Sequence, residues 1–125
     1  MIHSDEETLR FIAASFPSVW ALELLLALKR AGGRCTRQEL IEGLRASDLV
    51  VSKAIDALEA AGLVSIEGDY TVDLPANSGV EGLIDRSEQL YRRRPNSVRR
   101  AIVSARTSSA SAFADAFKLR RGSDD

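Results

Sequence analysis

Hydrophobic residues recur three and four positions apart along most of this chain, a spacing that predicts a mainly helical protein. The clearest stretch begins at Thr36, which forms a capping-box pattern with Glu39. This pattern predicts a helix from Arg37. Ser47 is a second helix-capping residue, and Asp48 follows it where the helix dipole favours a negative charge. The sequence therefore predicts two helices joined by a short turn.

A β-hairpin is predicted directly after the second of these helices. Gly62 suits the left-handed conformation that ends a helix. Residues 63–67 and 70–73 then alternate between apolar and polar side chains. Gly68 and Asp69 lie between them, and a two-residue loop containing glycine joins antiparallel strands with the correct twist. A helix, a turn, a helix and a two-stranded wing are the expected order.

Four more helices are predicted around this unit. The first runs from a capping pattern at Ser4 to about Phe16, the second from Val19 to Ala31, the fifth from Asn77 or Ser78 to Arg94, and the sixth from Asn96 or Ser97 to about Arg121. Trp20 belongs to the apolar second helix and is expected in the core rather than against a ligand or a base. Residues 1–79 thus form one unit with its N-terminal helix, residues 80–121 form a helical extension, and residues 122–125 are expected to be disordered.

The segment DLVVSKAIDALEAAGLV, residues 48–64, resembles winged helix-turn-helix regulators, particularly the MarR-like group. The residues that carry the resemblance are Val51, Ser52, Lys53 and Ala54, followed by Leu58, Glu59, Gly62, Leu63 and Val64. It implies a mainly α fold with a small β-wing, namely a winged helix-turn-helix plus two C-terminal helices. It also implies a DNA-binding transcriptional regulator with a recognition helix at about residues 48–61 and a wing at residues 63–73.

On this hypothesis the DNA-contacting residues lie on the predicted recognition helix and beside it. Ser47, Ser52 and Lys53 are expected in the major groove, Leu49 or Val50 against a thymine methyl, and Arg34, Arg37 and Arg45 on phosphates. Arg92, Arg93 and Arg94, with Arg99 and Arg100, are expected to add backbone contacts. The same arginine run is also explained as a solvated helix end, because arginine in a last turn complements the helix dipole.

Charge favours a second hypothesis. The chain has 125 residues, of which 45% are hydrophobic and 28% charged, so it forms one small globular unit. Residues 1–79 carry a net charge of −5 and residues 80–121 a net charge of +6. The tip of the wing, Glu67-Gly68-Asp69, is acidic, whereas DNA affinity depends on cations. The alternative is therefore a protein-interaction module that binds a partner through Leu49, Val50 or the acidic wing, or through the arginine cluster.

The two C-terminal helices offer more apolar surface than the winged unit covers. The resemblance implies a homodimer through these helices; the alternative is that they fold back on the first two helices of their own chain. Small residues such as Ala101, Ser104 and Ala105 suit close helix packing in either arrangement.

Enzyme activity is not expected. His3 is the single histidine, and the sequence contains no metal-ligand cluster and no phosphate-binding glycine loop, so no cofactor is predicted. Cys35 is the single cysteine and is expected to have ordinary reactivity, with redox sensing as the alternative. The acidic start of the chain does not resemble a signal peptide, and no apolar run is long enough to span a membrane, which predicts a cytoplasmic protein.

Overall fold

The computed structural model describes residues 4–74 and 77–105. It is mostly helical with one small antiparallel sheet, in agreement with the hydrophobic pattern. The elements are α1 (Asp5–Ser15), α2 (Val19–Arg30), β1 (Arg34–Thr36), α3 (Arg37–Leu44), α4 (Asp48–Ala60), β2 (Val64–Glu67), β3 (Tyr70–Asp73), α5 (Ser78–Arg93) and α6, described over residues 95–105. The predicted course of the sixth helix to residue 121 and the tail at 122–125 lie outside the described residues.

Local side-chain bonds begin the helices where the sequence predicts them. The Thr36–Glu39 capping box is confirmed: the Glu39 amide donates to Thr36 Oγ1 at 3.1 Å, and the Thr36 amide donates to Glu39 Oε1 at 2.8 Å. Ser47 Oγ accepts from the Val50 amide at 3.1 Å and caps α4. These bonds satisfy backbone donors that have no partner within the helix.

The sheet contains the predicted hairpin and one strand that the sequence pattern did not reveal. β2 and β3 pair as an antiparallel hairpin around Gly68, which has a φ of 63°. β1 pairs with the other side of β3, giving the order β1-β3-β2. β1 has three residues, too few to show an alternating pattern. Cys35 lies in this strand and is buried.

The core is centred on α2, whose Leu22, Leu24, Leu25 and Leu28 are completely buried. The prediction that Trp20 also lies in the core is wrong, because its side chain is 38% exposed. Trp20 is in the first turn of α2 and lines a cavity of about 710 Å³ between α1, α2, α4 and α6. Four alanines on α1 and α4 line this cavity with Trp20, namely Ala13, Ala14, Ala54 and Ala57.

α5 is joined to the rest of the chain by polar contacts as well as by packing. Lys29, in the last turn of α2, donates to Asp73 at 2.9 Å and to Glu81 at 3.0 Å. The Tyr91 hydroxyl donates to Glu23 of α2 at 3.1 Å. α5 also packs against α1. The described part of the C-terminal extension therefore packs against the first two helices of its own chain.

Within the described ranges, no single helix is long and apolar enough to cross a bilayer. By length and composition alone, α1 and α2 together could span a bilayer, but the two helices are bent by 102° relative to each other.

Candidate nucleic-acid interface

A tight turn connects α3 to α4. α3 ends at Leu44, and Arg45 adopts the left-handed conformation with a φ of 53°. The Ala46 amide then donates to the Ile41 carbonyl at 3.2 Å, and Ser47 caps α4. The left-handed region is uncommon for a residue with a Cβ, and here it reverses the chain within three residues. This turn fixes where α4 leaves α3.

Arg37 joins the start of α3 to the start of α4. Its Nε lies 3.1 Å from Asp48 Oδ1, and its terminal NH₂ group donates to Ser52 Oγ. The Ser52 hydroxyl in turn lies 2.7 Å from the Asp48 carbonyl oxygen, one helical turn earlier, and is placed to donate to it. Arg37 and Ser52 were both predicted to contact DNA. In the structure they are bonded to each other and orient the first two turns of α4.

Next to this bonded group, two side chains of α4 extend into solvent. Leu49 is 63% exposed, and Lys53 is exposed with no ion pair among the described residues. Ser47 lies at the cap of the same end. The structure thus brings together five predicted contact residues, Arg37, Ser47, Leu49, Ser52 and Lys53, around the amino-terminal half of α4.

The predicted arginine cluster lies elsewhere, at the end of α5. Arg92 pairs with Glu88 at 3.4 Å, while Arg93 and Arg94 pair with Asp5 of α1 at 3.3 and 3.8 Å. All three arginines are nevertheless exposed. Their ion-pair partners among the described residues lie on α1 and α5, so the described structure does not join this cluster to α3 or α4.

Beyond the arginine run, Arg99 of α6 donates to the Tyr91 hydroxyl at 3.4 Å, and its guanidinium lies 5.7 Å from the centre of the Tyr91 ring. Burial raises the pKa of Tyr91, which keeps this hydroxyl protonated and available to Glu23. Through Tyr91, Arg99 therefore links α6 to α5 and to Glu23 of α2.

The sheet places one predicted contact residue, Arg34, and one residue that the sequence did not single out, Ile66. Arg34, predicted to hold a phosphate, places its guanidinium 4.0 Å from the centre of the Tyr70 ring, a cation–π geometry. Ile66 is 49% exposed next to a groove between the hairpin and α4. Ile66 is one of the apolar positions in the alternating pattern of β2, and that pattern by itself does not show whether another element covers it.

The larger cavity, beside Trp20, has few polar groups in its walls. Lys53 is the charged residue among the described side chains that line it, and Ser18 is already the cap of α2. A cavity of this volume, about 710 Å³, is large enough for a small ligand. The described walls offer such a ligand apolar contact but no converging set of hydrogen-bonding groups.

Cys35 is the cysteine of the described chain, and its thiol is buried. Burial raises the pKa of the Cys35 thiol, and the nearby Glu39 carboxylate raises it further. A thiol with a raised pKa is a weak nucleophile at neutral pH, which favours the prediction of ordinary reactivity. Within residues 4–74 and 77–105, no group of three or more His, Cys, Asp or Glu side chains is arranged to hold a metal ion.

Comparisons of the chain with protein-family models, with curated proteins and with solved structures found no match. Function is therefore inferred from the residues and their geometry.

Proposed function

We propose that this protein is a DNA-binding transcriptional regulator of the winged helix-turn-helix type, MarR-like, with α4 as its recognition helix. The order of elements from α2 to β3 and the strand order β1-β3-β2 are those expected of such a unit. The β2–β3 hairpin is the wing. Regulators of this kind act in the cytoplasm, the compartment predicted from the sequence.

The observation that carries the proposal is the exposed amino-terminal half of α4. The Ser47 cap and Arg37 bond this end of α4 to the rest of the fold, while Leu49 and Lys53 extend into solvent. An α-helix fits the major groove of B-DNA, and the amino-terminal residues of a recognition helix contact the base edges. Lys53 suits guanine or a phosphate, and Leu49 suits a thymine methyl.

The exposed arginines of α5 supply backbone contacts in this proposal. Their ion pairs with Asp5 and Glu88 lie at the surface, where such pairs contribute about 0–1 kcal/mol. A DNA phosphate competes well against partners of that strength, since each neutralised phosphate also releases counterions. Arg92, Arg93 and Arg94 therefore affect affinity rather than sequence preference.

A homodimer completes the proposal, formed through the surface of the C-terminal helices that stays exposed after α5 packs against α1 and α2 of its own chain. Val103 of α6 is an exposed apolar residue at the described end of this extension. A two-fold dimer presents two α4 helices to two half-sites, so its affinity for the whole site exceeds the affinity of one α4 for one half-site. Sedimentation equilibrium of the wild type and of Val103→Asp measures this association directly, and a monomer at all concentrations contradicts the dimer.

Selection of duplexes from a randomised pool, followed by titration across salt, tests the proposal. We expect Lys53→Ala to weaken binding to the selected site by about 1–3 kcal/mol and to relax its sequence preference. Arg10→Ala is the matched control. Arg10 is an exposed cation of α1, with no ion pair among the described residues, and its removal should leave sequence preference unchanged.

Two outcomes contradict this function. One is that no duplex is bound more tightly than the non-specific level of roughly 10⁻⁴ to 10⁻⁶ M at physiological salt. The other is that Lys53→Ala and Arg10→Ala have equal effects, because α4 then contributes charge but no sequence recognition.

A further inference from the structure

A second groove lies between α4 and the β2–β3 hairpin and has a volume of about 520 Å³. Ile55 and Asp56 of α4 form one side, and Ile66 and Asp69 form the other. We propose that this groove binds a basic, amphipathic segment of a partner protein. The proposal concerns the wing side of α4, whereas the proposed DNA contact is at the amino-terminal end of that helix; Arg37, at the start of α3, borders both.

The apolar part of the groove follows from the strand register. Ile66 pairs with Thr71, so both side chains lie on the face of the sheet that also carries the buried Cys35. Thr71 on the central strand β3 and Cys35 on the edge strand β1 are buried, whereas Ile66 on the opposite edge strand β2 is 49% exposed. Ile55 is buried beside it. The core-facing side of the sheet thus ends in an uncovered apolar surface.

The charged part of the groove is acidic. Asp56 and Asp69 are both exposed and line the groove, and neither carboxylate has an ion pair or hydrogen bond with another described side chain. Arg37 is the basic residue among the described groove residues, and its guanidinium is already bonded to Asp48. Glu67, at the start of the hairpin loop, is a further exposed carboxylate.

These charges favour a cationic peptide over a duplex. DNA affinity depends on cations facing phosphates, so two free carboxylates repel a backbone placed here. A peptide helix with lysine or arginine beside a leucine or isoleucine complements both features: its cations face Asp56 and Asp69, and its apolar side chain contacts Ile66. Amphipathic helices bind apolar grooves through anchor side chains spaced three or four residues apart. The volume of this groove lies within the range of pockets that bind small molecules, which is enough for such an anchor.

The test uses a fluorescein-labelled peptide of about twelve residues, with leucines four apart and lysines and arginines between them. Its control replaces every cation with glutamate. Anisotropy titrations contain no DNA. We expect saturable binding of the basic peptide, a loss of about five-fold or more for Asp56→Lys and for Asp69→Lys, and a smaller loss for Ile66→Thr. Asp85→Lys, the same charge change at an exposed site on α5, should alter affinity less than about two-fold.

Amide chemical shifts on addition of the peptide locate the contact, and Ile66, Asp69 and Asp56 should move most. If Asp56→Lys does not fold, Asp69→Lys still tests the proposal, because Asp69 lies in the hairpin loop and not in a helix. Equal losses for all three lysine variants, or equal binding of the glutamate peptide, overturn the proposal.

Other occupants give different results and also overturn it. Self-association that is abolished by Asp69→Lys assigns the groove to a second copy of the chain. Duplex-induced shifts at Ile66 and Asp69 assign it to DNA. If the duplex selection fails but the peptide still binds, only the proposed DNA-binding function is rejected. If a duplex is selected but the peptide does not bind, only the proposed peptide groove is rejected.

Discussion

Arg37 Nε lies 3.1 Å from Asp48 Oδ1, which bonds the first residue of α3 to the first residue of α4. Both side chains are largely in solvent, at 52% and 70% exposure, so the pair contributes little to the free energy of unfolding. Its effect is on charge and orientation. A cation at the proposed DNA surface is neutralised by an acid of its own chain, and α4 is oriented by the same bond.

Asp48→Ala should therefore increase DNA affinity. The change removes one negative charge and frees Arg37 for a phosphate. We expect the slope of log K against log salt to become steeper by about 0.9, the value for one additional neutralised phosphate. Anisotropy titrations of a labelled duplex measure this slope. The control is Asp85→Ala, which removes an exposed acid of α5 and should leave the slope unchanged. If Asp48→Ala also leaves the slope unchanged, Arg37 does not contact the DNA backbone.

Lys29 joins α2, β3 and α5 through its bonds to Asp73 and Glu81. Lys29→Met should lower the free energy of unfolding by about 1–2 kcal/mol, a value reduced for the partial exposure of Glu81. Urea denaturation measures it. Arg30→Met, next along the helix, removes a cation from a more exposed pair with Glu88 and should cost less than about 1 kcal/mol. Equal costs contradict a special role for Lys29.

The contribution of Lys29 should also depend on pH. Burial lowers its pKa, but the hydrogen bonds and charges of Asp73 and Glu81 outweigh burial and raise the pKa above its ordinary value of 10.5. A pKa that is raised on folding stabilises the protein fully below the unfolded value and loses this effect as pH rises through the folded value. The difference in stability between wild type and Lys29→Met should stay constant up to about pH 10 and decrease above it. A difference that decreases between pH 6 and 9 contradicts this assignment.

Two glycines provide a matched test of backbone conformation. A Cβ added at Gly43 or at Gly62 meets no atom within 4 Å, but Gly62 has a φ of +76° and Gly43 lies inside α3 with ordinary helical geometry. Gly43→Ala should therefore stabilise the protein by about 0.5–1 kcal/mol. Gly62→Ala should destabilise it by about 1 kcal/mol, because alanine is strained in the left-handed region. Thermal and urea unfolding measure both, and effects of the same sign contradict the explanation.

Cys35 should react slowly with thiol reagents in the folded protein. Burial and the neighbouring Glu39 raise its pKa, so little thiolate is present at pH 7–8. We expect labelling by a chromogenic disulfide to become fast only on addition of denaturant. The control is Cys35→Ala combined with Gln89→Cys, which places a thiol at an exposed position of α5. Equal rates for the two native proteins favour the redox-sensing alternative.

The sequence by itself determined the features whose partners are close along the chain. The Ser47 cap and the Thr36–Glu39 box each join residues three positions apart, and the β2–β3 hairpin turns within two residues. Such interactions form wherever the local sequence permits them, so the helix starts and the hairpin were predictable. Ser47, Leu49, Ser52 and Lys53 are close along the chain and so share one end of α4, whereas Arg37 reaches them from α3. Their proposed roles depend on DNA and stay predictions.

Only the tertiary structure decided which distant groups meet. Arg34 pairs with Val72 across the sheet, which makes a strand of three residues that have no pattern of their own. Trp20 is exposed beside a cavity lined by alanines of α1 and α4, and Ile66 is exposed beside the groove between the hairpin and α4. These outcomes depend on which elements pack together in three dimensions. Packing and ion pairing sum over such neighbours, whereas periodicity and capping report only on the few residues along one turn.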